Sequence, residues 1–330
     1  MTWDSLDWSI LDRLRTQFLD RTVASGAYWR TSDDLAAYDL TYGERIGWKW
    51  DAVFAELRLR QWRPAGRSAL RVMDWGCGSG IAGRRVIEWL GPAAIASLSV
   101  WDHSAIARRF AVERAREQFH GIAVHESTQP GESCDILVVS HVLNELAPEA
   151  EASLLRCMAE ASAILWVEPG THAVARALQR HRDKLLADFH VVAPCTHQAA
   201  CDLNSTENER HWCHHFATPP VGIYSDGNWV RFGQRAGIDL RSLPYSFLVL
   251  DRTPSETPPK TPAARVIGRP EAFKPHVRLL GCEQDGVREL SVHKRDCPDL
   301  FRQLQKNKGP LLYTWRRQED RIVSGTSFIP

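Results

Sequence analysis

Apolar side chains in residues 1–66 recur every three or four positions, which is the spacing of amphipathic helices. The pattern predicts a helix in WSILDRLRTQFL and a longer one in YGERIGWKWDAVFAELRLRQW, ending near Pro64-Ala65-Gly66. We interpret Trp48 and Trp50 within the longer helix as core or cap aromatics, with stacking on nucleic-acid bases as the alternative. The first part of the chain is therefore expected to be a helical region.

From residue 68 onward, short buried-type apolar runs alternate with helical patterns. The runs are LRVMDW, ASLSVWDHS, DILVVS, ASAILWVEP and, after a helical NWVRFGQRAG, YSFLVLDR. Strands that alternate with helices predict an α/β protein with a doubly wound, mainly parallel sheet. The carboxyl ends of such strands open onto one edge, and ligands bind in the crevice there.

The pattern changes again after residue 252. TPSETPPKTP over 253–262 is typical of a linker, and ARVIGR, HVRLLGC and RELSVHKR after it predict a small β-rich appendage. The predicted division is a helical region over 1–66, an α/β domain over 67–252 that includes a Cys-rich segment over 191–216, and the appendage over 263–330.

A glycine-rich turn follows the first strand and reads D-x-G-x-G-x-G. It matches neither the dinucleotide-binding G-x-G-x-x-G nor a P-loop, which would place Lys after the last Gly. It resembles motif I of the S-adenosylmethionine-dependent methyltransferases, with a structural turn of another α/β protein as the alternative. Asp102 ends the second strand, where an acid accepts hydrogen bonds from ribose hydroxyls. The predicted cofactor-binding residues are Asp74, Gly76, Cys77, Gly78, Gly80, Asp102, His103, His141 and Asn144.

Composition supports an ordinary soluble globular protein, with 44% apolar and 25% charged residues and no apolar run as long as a membrane span. The N-terminus lacks the apolar core of a secretory signal, so we expect the bacterial cytoplasm or a mature organellar form. Charge is uneven: residues 252–330 hold 15 Lys and Arg against 9 Asp and Glu, whereas residues 1–251 hold 26 against 31. The basic part faces either nucleic acid or solvent.

Three cysteines form a C-x5-C-x11-C array at Cys195, Cys201 and Cys213, with four histidines nearby. Thiolates gathered with histidines favour a zinc ion or an iron–sulfur cluster, and buried reduced cysteines are the alternative. A disulfide framework is not expected in a chain of this kind.

Several segments, in this order, resemble the small-ribosomal-subunit assembly methyltransferase-like family of mitochondrial ribosome assembly factors and their bacterial relatives. They are LAAYDLTYGERIGWKWDAVFAEL, DWGCGSG, SHVLNEL, VEPGT, APCTHQAAC and HWCHHF, within roughly residues 35–295. The resemblance implies an S-adenosylmethionine-binding fold, association with the small ribosomal subunit and its rRNA, and a [4Fe–4S] cluster.

The cluster ligands that this resemblance implies are Cys195, Cys201, Cys213 and Cys282, with Cys297 as the second choice for the fourth position. If Cys282 is the fourth ligand, the cluster would join the appendage to the methyltransferase-like core. Many relatives carry Pro directly after the second cysteine, where this chain has Asp202, so the shape of that loop is open.

The residues leave catalytic turnover open. SHVLNEL stands where methyltransferases acting on amino groups of bases often carry an Asn/Asp-Pro-Pro-aromatic turn, and only Glu145 and His141 are candidate bases. Pro194-Cys195 resembles a nucleophile for C5 methylation of cytosine but suits the metal array better. The alternative function is an active methyltransferase on a small molecule or protein with a structural zinc site. We expect a monomer that does not bind membranes.

Overall fold

The computed structural model describes residues 1–20, 29–64, 69–129, 131–253, 264–306 and 311–328. The chain forms two compact units. The glycine-turn unit contains Met1–Phe54, Pro64–Val167 and Ala217–Leu243, and the cysteine–barrel unit contains Ala55–Arg63, Glu168–Phe216 and Pro244–Pro330. All but the first residue of the predicted linker lies outside the described ranges.

Both predicted N-terminal helices are confirmed. The helices are α1 (Trp8–Asp20), α2 (Ser32–Tyr38) and α3 (Glu44–Leu59), and a π-helical turn over Asp39–Gly43 joins the last two. Trp48 and Trp50 are buried, as the core interpretation predicts. Within the described ranges, no helix has both the length and the apolar character needed to cross a membrane.

Helix α3 ends earlier than the sequence predicts. Its last residue is Leu59, whereas the end was expected near Pro64. Gln61 adopts a left-handed backbone conformation (φ +57°), and the Trp62 N–H donates to the Leu57 carbonyl at 3.0 Å. Because this conformation stops a helix in the same way as a terminal glycine, the helix ends before the proline is reached.

A parallel sheet lies at the centre of the glycine-turn unit, as predicted. Its strands are β1 (Leu70–Trp75), β2 (Ile95–Trp101), β3 (Ala123–Glu126), β4 (Ile136–Ser140) and β5 (Ala163–Pro169). They pair in the order β3-β2-β1-β4-β5, and every pairing is parallel. The helices of this unit that follow α3 are α4 (Ile81–Leu90), α5 (Ala105–Gln118), α6 (Pro148–Glu160) and α8 (Gly227–Ala236). The first strand thus stands between the second and fourth, where the order reverses and ligands bind in such sheets.

The stretch after β4 differs from its prediction. His141, Asn144 and Glu145 were expected at the start of a helix, but they lie in a turn, and α6 begins only at Pro148. Proline is favoured at the first helical position because it has no N–H to leave unpaired and its φ is already helical. The local signal for the helix start is therefore Pro148.

After Ala55–Arg63, the cysteine–barrel unit continues with α7 (His172–Leu185) and three strands. The strands are β6 (His190–Ala193), β7 (His215–Phe216) and β8 (Pro244–Asp251), and both shorter strands pair with β8 in antiparallel fashion. Helix α7 and strand β8 are confirmed predictions. Between β6 and β7 the Cys-rich segment has one short helical turn, over Asp202–Asn204.

The C-terminal part forms a closed five-stranded barrel. Its elements are β9 (Ala264–Ala272), β10 (His276–Glu283), β11 (Gly286–His293), α9 (Pro298–Gln305), β12 (Leu312–Gln318) and β13 (Arg321–Ser327). The strands close in the order β10-β11-β13-β12-β9, with β11 and β13 parallel and the other pairs antiparallel. The prediction of a β-rich appendage is confirmed. The sequence analysis did not predict that the strands close into a barrel, nor did it predict α9, β12 and β13. A small five-stranded barrel of this mixed order, with a helix after its third strand, resembles the OB-fold.

Candidate functional site

The glycine-rich turn joins the end of β1 to the start of α4. Gly76, Gly78 and Gly80 have φ values of +70°, +51° and +76°, which glycine adopts without a steric penalty. The N–H groups of Gly76 and Cys77 donate to the carbonyl of Trp101 at 2.8 and 3.0 Å. These bonds hold the turn against the end of β2.

The three glycines have different surroundings. A Cβ at Gly76 would lie 2.6 Å from Cγ1 of Val142, and a Cβ at Gly80 would lie 2.8 Å from Cβ of Ala111. A Cβ at Gly78 would meet nothing within 4 Å. Packing therefore explains two of the glycines, whereas Gly78 faces open space from which a ligand can approach the backbone.

Asp102 follows β2 and binds the same turn. Its Oδ2 accepts a hydrogen bond from the N–H of Gly78 at 3.0 Å, and its Oδ1 accepts one from the N–H of Ser104 at 2.8 Å. The neighbouring His103 is exposed, with Nδ1 3.3 Å from the same Oδ1. Since a carboxylate has about four acceptor positions, Asp102 keeps acceptor capacity for a ligand hydroxyl beside Gly78.

Asp74 occupies the buried end of β1 and caps α4. Its Oδ2 accepts from the N–H of Gly83 at 3.0 Å, at the third position of the helix, where orphan N–H groups need acceptors. A Cβ at Gly83 would lie 2.8 Å from this oxygen, so Gly83 is needed there, which the sequence analysis missed. Oδ1 is buried and has no hydrogen-bond partner among the described residues. Burial raises the pKa of Asp74 to about 7.

His141 directly follows β4, which pairs with β1. Its backbone is left-handed (φ +58°), and its Nε2 lies 3.0 Å from Nζ of Lys49, a neighbour that the sequence analysis missed. Burial and the Lys49 charge lower the pKa of His141 well below its usual value. The imidazole is therefore neutral at pH 7 and accepts a hydrogen bond from the ammonium group. The structure thus brings Asp74, the glycine turn, Asp102 and His141 to one edge, with Asn144 and Glu145 in the turn that follows.

Four cysteines meet in the cysteine–barrel unit. Cys195, Cys201 and Cys282 all lie close enough to Cys213 to act on its ionisation. Cys201, Cys213 and Cys282 pack against a small buried cluster that contains Leu203, Ile267 and Val287. By contrast, Cys297 precedes α9 and packs against the barrel core. Of the two candidates for the fourth position, the structure places Cys282 beside the other three.

Two buried arginines hold the backbone around Cys195. Arg60 donates to the carbonyls of Val192 and Cys195 at 2.8 and 3.1 Å. Arg60 and Arg265 both donate to the carbonyl of Pro194, at 2.8 and 2.7 Å. Five side-chain donors on each guanidinium make such multiple contacts possible. The loop that carries the first cysteine is therefore fixed by side chains from distant parts of the sequence.

Glu56 supplies the counter-charge that both arginines share. It forms ion pairs with Arg60 at 2.9 Å and with Arg265. Burial by itself would raise the pKa of Glu56, but the charges of the two arginines outweigh burial and lower it. The carboxylate is therefore ionised at neutral pH, and the three groups form a buried charged network.

A second support lies on α7. Arg182 hydrogen-bonds the side chain of Cys195 and donates to the carbonyl of His197 at 3.2 Å. The carboxylate of Asp183 accepts from the N–H of Cys201 at 3.0 Å and from the amide group of Asn204 at 2.8 Å. One helical turn thus positions two of the four cysteines.

Asp202 fixes the shape of the loop after the second cysteine. Its Oδ2 accepts from the N–H of Val287 at 2.7 Å and from Nδ2 of Asn208 at 3.0 Å. A Cβ at Gly286 would lie 2.8 Å from the same oxygen. The Cys-rich segment is therefore attached to β11 by a charge-assisted hydrogen bond.

The thiols disfavour ionisation. Burial, followed by the charge of Cys195, raises the pKa of Cys201 to about 12, and the same two causes raise the pKa of Cys213 and of Cys282. Within the described residues, no group of three or more His, Cys, Asp or Glu side chains has an arrangement that would hold a metal ion. The predicted centre is thus a gathering of four thiols without the geometry of a metal site.

A parallel sheet with a glycine-rich turn at the carboxyl end of its central strand defines the class of nucleotide- and nucleoside-binding α/β proteins. The family described as mitochondrial small ribosomal subunit Rsm22 matches residues 62–310, and the chain belongs to this family. No curated protein sequence matches the chain.

Two solved structures illustrate the structural likeness. Magnesium protoporphyrin IX methyltransferase (ChlM) from Synechocystis PCC 6803, solved with bound SAH, is 15% identical with a TM-score of 0.39, covering 74% of this chain and 99% of its own. TrmK from M. capricolum, in complex with S-adenosyl-homocysteine, is 9% identical with a TM-score of 0.33, covering 59% of this chain and 68% of its own. Since these TM-scores are below 0.5, the fold assignment depends on the strand order and the glycine turn.

Proposed function

We propose that the protein is an S-adenosylmethionine-binding, methyltransferase-like factor that acts in the assembly of the small ribosomal subunit, in contact with its rRNA, in the bacterial cytoplasm. We further propose that it carries a [4Fe–4S] cluster on Cys195, Cys201, Cys213 and Cys282. Membership of the Rsm22 family supports the ribosomal role. The turn at Gly78 supports the cofactor.

The observation that carries the cofactor proposal is the open space at Gly78. Its backbone is left-handed, a Cβ there would meet nothing within 4 Å, and its N–H points to Asp102. This combination lets the ligand approach the main chain while an acid is held for its hydroxyls. The absence of a Lys in the turn suits a cofactor without phosphates.

The donor set supports the cluster by its chemistry. Four thiols lie together in a buried site, and buried Arg182 and Arg265 bring positive charge beside them. Four thiolates are the usual ligands of an iron–sulfur cluster, and bound cations would favour the thiolate form that burial disfavours at Cys201, Cys213 and Cys282. When bound, such a cluster would supply a covalent cross-link between the Cys-rich segment and β10.

Metal content tests the cluster. Protein purified without oxygen should be brown, contain about four irons per chain, and lose both properties in Cys195→Ser. Cys297→Ser is the matched control, because this thiol packs against the barrel core, and it should keep the iron. One zinc and no colour would contradict the cluster and favour the alternative, a methyltransferase on a small molecule or protein.

Calorimetric titration with S-adenosylmethionine tests the cofactor site. The wild-type chain should bind it, and Gly78→Ala should weaken binding because a methyl group would fill the open space.

Co-sedimentation with small-subunit precursors tests the ribosomal role. A chain that binds the cofactor but never sediments with these particles would contradict that role alone. Comparing His141→Gln and Glu145→Gln for methyl transfer would then decide whether either acts in catalysis.

A further inference from the structure

Three stacked rings lie on the outer surface of the barrel, at one end of β10 and β11. Phe273 is in the turn before β10, and His276 and His293 are direct cross-strand partners in β10 and β11. The ring centroids of Phe273 and His276 are 4.8 Å apart with planes 14° from parallel, and those of His276 and His293 are 5.3 Å apart and 23° from parallel. We call these three residues the ring stack.

The ring stack occupies the open half of the β10–β11 outer face. The other half, with Leu280, Cys282 and Val287, packs against the Cys-rich segment. Phe273 stands at the end of the stack and is 40% exposed, one of few large apolar side chains in the described ranges with this exposure. An aromatic ring supported from below by two further rings is a rigid platform, because the stacked neighbours limit its rotamers.

Three cations lie beside the platform, together with the carboxylates of Glu271 and Asp296. Lys274 and Lys294 are exposed and form no ion pair with any other described residue. The guanidinium of Arg278 lies 5.4 Å from the Phe273 centroid and is paired with Glu271 at 2.5 Å. Both side chains of that pair are half exposed, and exposed ion pairs contribute little to stability, so a phosphate can replace the carboxylate.

In OB-folds, the face of the second and third strands and the loop between the first two strands bind oligonucleotides. The ring stack lies at this place in the barrel, since β10 and β11 are its second and third strands. Fold analogy alone does not establish a site, but aromatic rings interleaved with unpaired cations are what single-stranded nucleic acid requires. Bases stack on the rings, and the cations contact the phosphates.

We propose that the ring stack, with Lys274, Arg278 and Lys294, is a binding site for single-stranded RNA. The site takes an unpaired base on the exposed face of Phe273 and holds the flanking phosphates with the three cations. The identification of that RNA as unpaired rRNA of the small subunit rests on the proposed function, whereas the binding chemistry does not.

Fluorescence anisotropy with the full-length protein tests the site, using a labelled single-stranded RNA of about 4–16 nucleotides and the duplex of the same sequence. Wild type should bind the single strand more tightly than the duplex. Phe273→Ala should weaken single-strand binding by about 5- to 100-fold, which is the range measured for losing one stacked base. His276→Phe should keep the affinity, because it preserves the stack.

Matched controls separate the site from general effects. Tyr224→Ala removes an aromatic side chain that is 52% exposed outside the barrel, and it should leave binding unchanged. Lys274→Ala combined with Lys294→Ala should reduce the slope of log affinity against log salt by about 1.4, whereas Lys306→Ala on the same barrel should not. Unchanged binding in Phe273→Ala, or equal affinity for the duplex, would overturn the proposal.

Co-sedimentation of the same variants with small-subunit precursors distinguishes this site from the ribosomal role. If wild type and Phe273→Ala sediment equally with precursors while neither binds the oligonucleotide, the ring stack proposal fails and the ribosomal role stands. If wild type binds the oligonucleotide through Phe273 but sediments with no precursor, the ring stack stands and the ribosomal role fails.

Discussion

The two units bury carboxylates in opposite ways. In the glycine-turn unit, Asp74 receives one backbone N–H, and the nearby Arg84 is already paired with Asp39 at 2.6 Å. In the cysteine–barrel unit, Glu56 lies between Arg60 and Arg265. Burial raises the pKa of Asp74 to about 7, whereas the two arginines lower the pKa of Glu56 in spite of burial.

The difference reflects how each site is built. The glycine turn is made of main-chain groups from consecutive residues, so one carboxylate with one N–H is enough to cap its helix. The loop at Cys195 has no such regular structure, and its carbonyls are held by arginine side chains whose charge then needs Glu56. A site built from the backbone tolerates a weakly paired acid, whereas a site built from buried cations depends on its counter-charge.

Breaking the charged network of Glu56, Arg60 and Arg265 should have the largest effect on the free energy of unfolding. Arg265→Met leaves Glu56 with one partner and the Pro194 carbonyl with one donor. Removing one member of a buried ion pair typically costs about 3–5 kcal/mol. We expect a loss of this size in the free energy of unfolding, measured by urea denaturation followed by circular dichroism. Because each single change already breaks the Glu56–Arg265 pair, the double variant Glu56→Gln with Arg265→Met should lose less stability than the sum of the two single variants. A double variant as unstable as that sum would contradict the network.

A methyl group added to the glycine turn should destabilise the protein strongly at Gly76 and weakly at Gly78. Gly76→Ala combines a left-handed backbone with a clash against Val142, so we expect a loss of about 2–5 kcal/mol in stability. Gly78→Ala has only the backbone cost, about 1–2 kcal/mol. Thermal unfolding of the two variants side by side measures the difference. Equal losses would mean that packing does not distinguish the two positions.

The raised pKa of Asp74 predicts a pH effect with a definite sign. Its folded pKa of about 7 is above the ordinary value of 3.8, so the folded protein holds a proton that the unfolded chain releases. Stability should therefore fall as pH rises from about 4 to about 7, by on the order of 3 kcal/mol. Asp74→Asn should flatten this part of the pH profile in urea denaturation, and the exposed Glu160→Gln should not. A profile that rises over this range in wild type but not in Asp74→Asn would contradict the assignment.

The smallest effect is expected at the loop that binds β11. Asp202→Ala removes the acceptor for the Val287 N–H, and a lost hydrogen bond to a charged group costs about 1–3 kcal/mol. We expect the lower part of this range, because solvent reaches the half-buried loop. A shift in melting temperature measures it, with the exposed Glu207→Ala in the same loop as the control. If both variants melt alike, Asp202 does not anchor the loop.

The sequence predicts the elements whose signals are continuous along the chain. The run from Leu70 to Leu90 contains its strand, turn and helix in one stretch, so spacing alone predicts the corner and the residues at the sheet edge. The barrel is harder to predict from the sequence, because β12 and β13 contain few apolar residues among polar ones. Its closure also depends on pairing between strands far apart in the sequence, such as β12 with β9. The turn after β4 has apolar spacing that also suits a helix, and Pro148 is the local signal that places the helix start later.

The supporting residues of the cysteine site could not be predicted for a different reason. Arg265 and Glu56 are 209 positions apart, and Arg60 and Cys195 are 135 apart. Neither pair leaves a pattern in a single sequence, since Arg and Glu are common on protein surfaces. Only the tertiary structure shows that these charges are buried and which backbone groups they hold.

The route of the chain between the units has a consequence for its synthesis. Each unit takes three separated stretches, and the cysteine–barrel unit includes both Ala55–Arg63 and the C-terminal barrel. During translation Glu56 and Arg60 emerge together and pair at the end of α3, but Arg265 follows Glu56 by 209 positions. Until β9 is made, the nascent segment lacks the second cation of the network, and a chain interrupted before β9 would expose this segment to proteases.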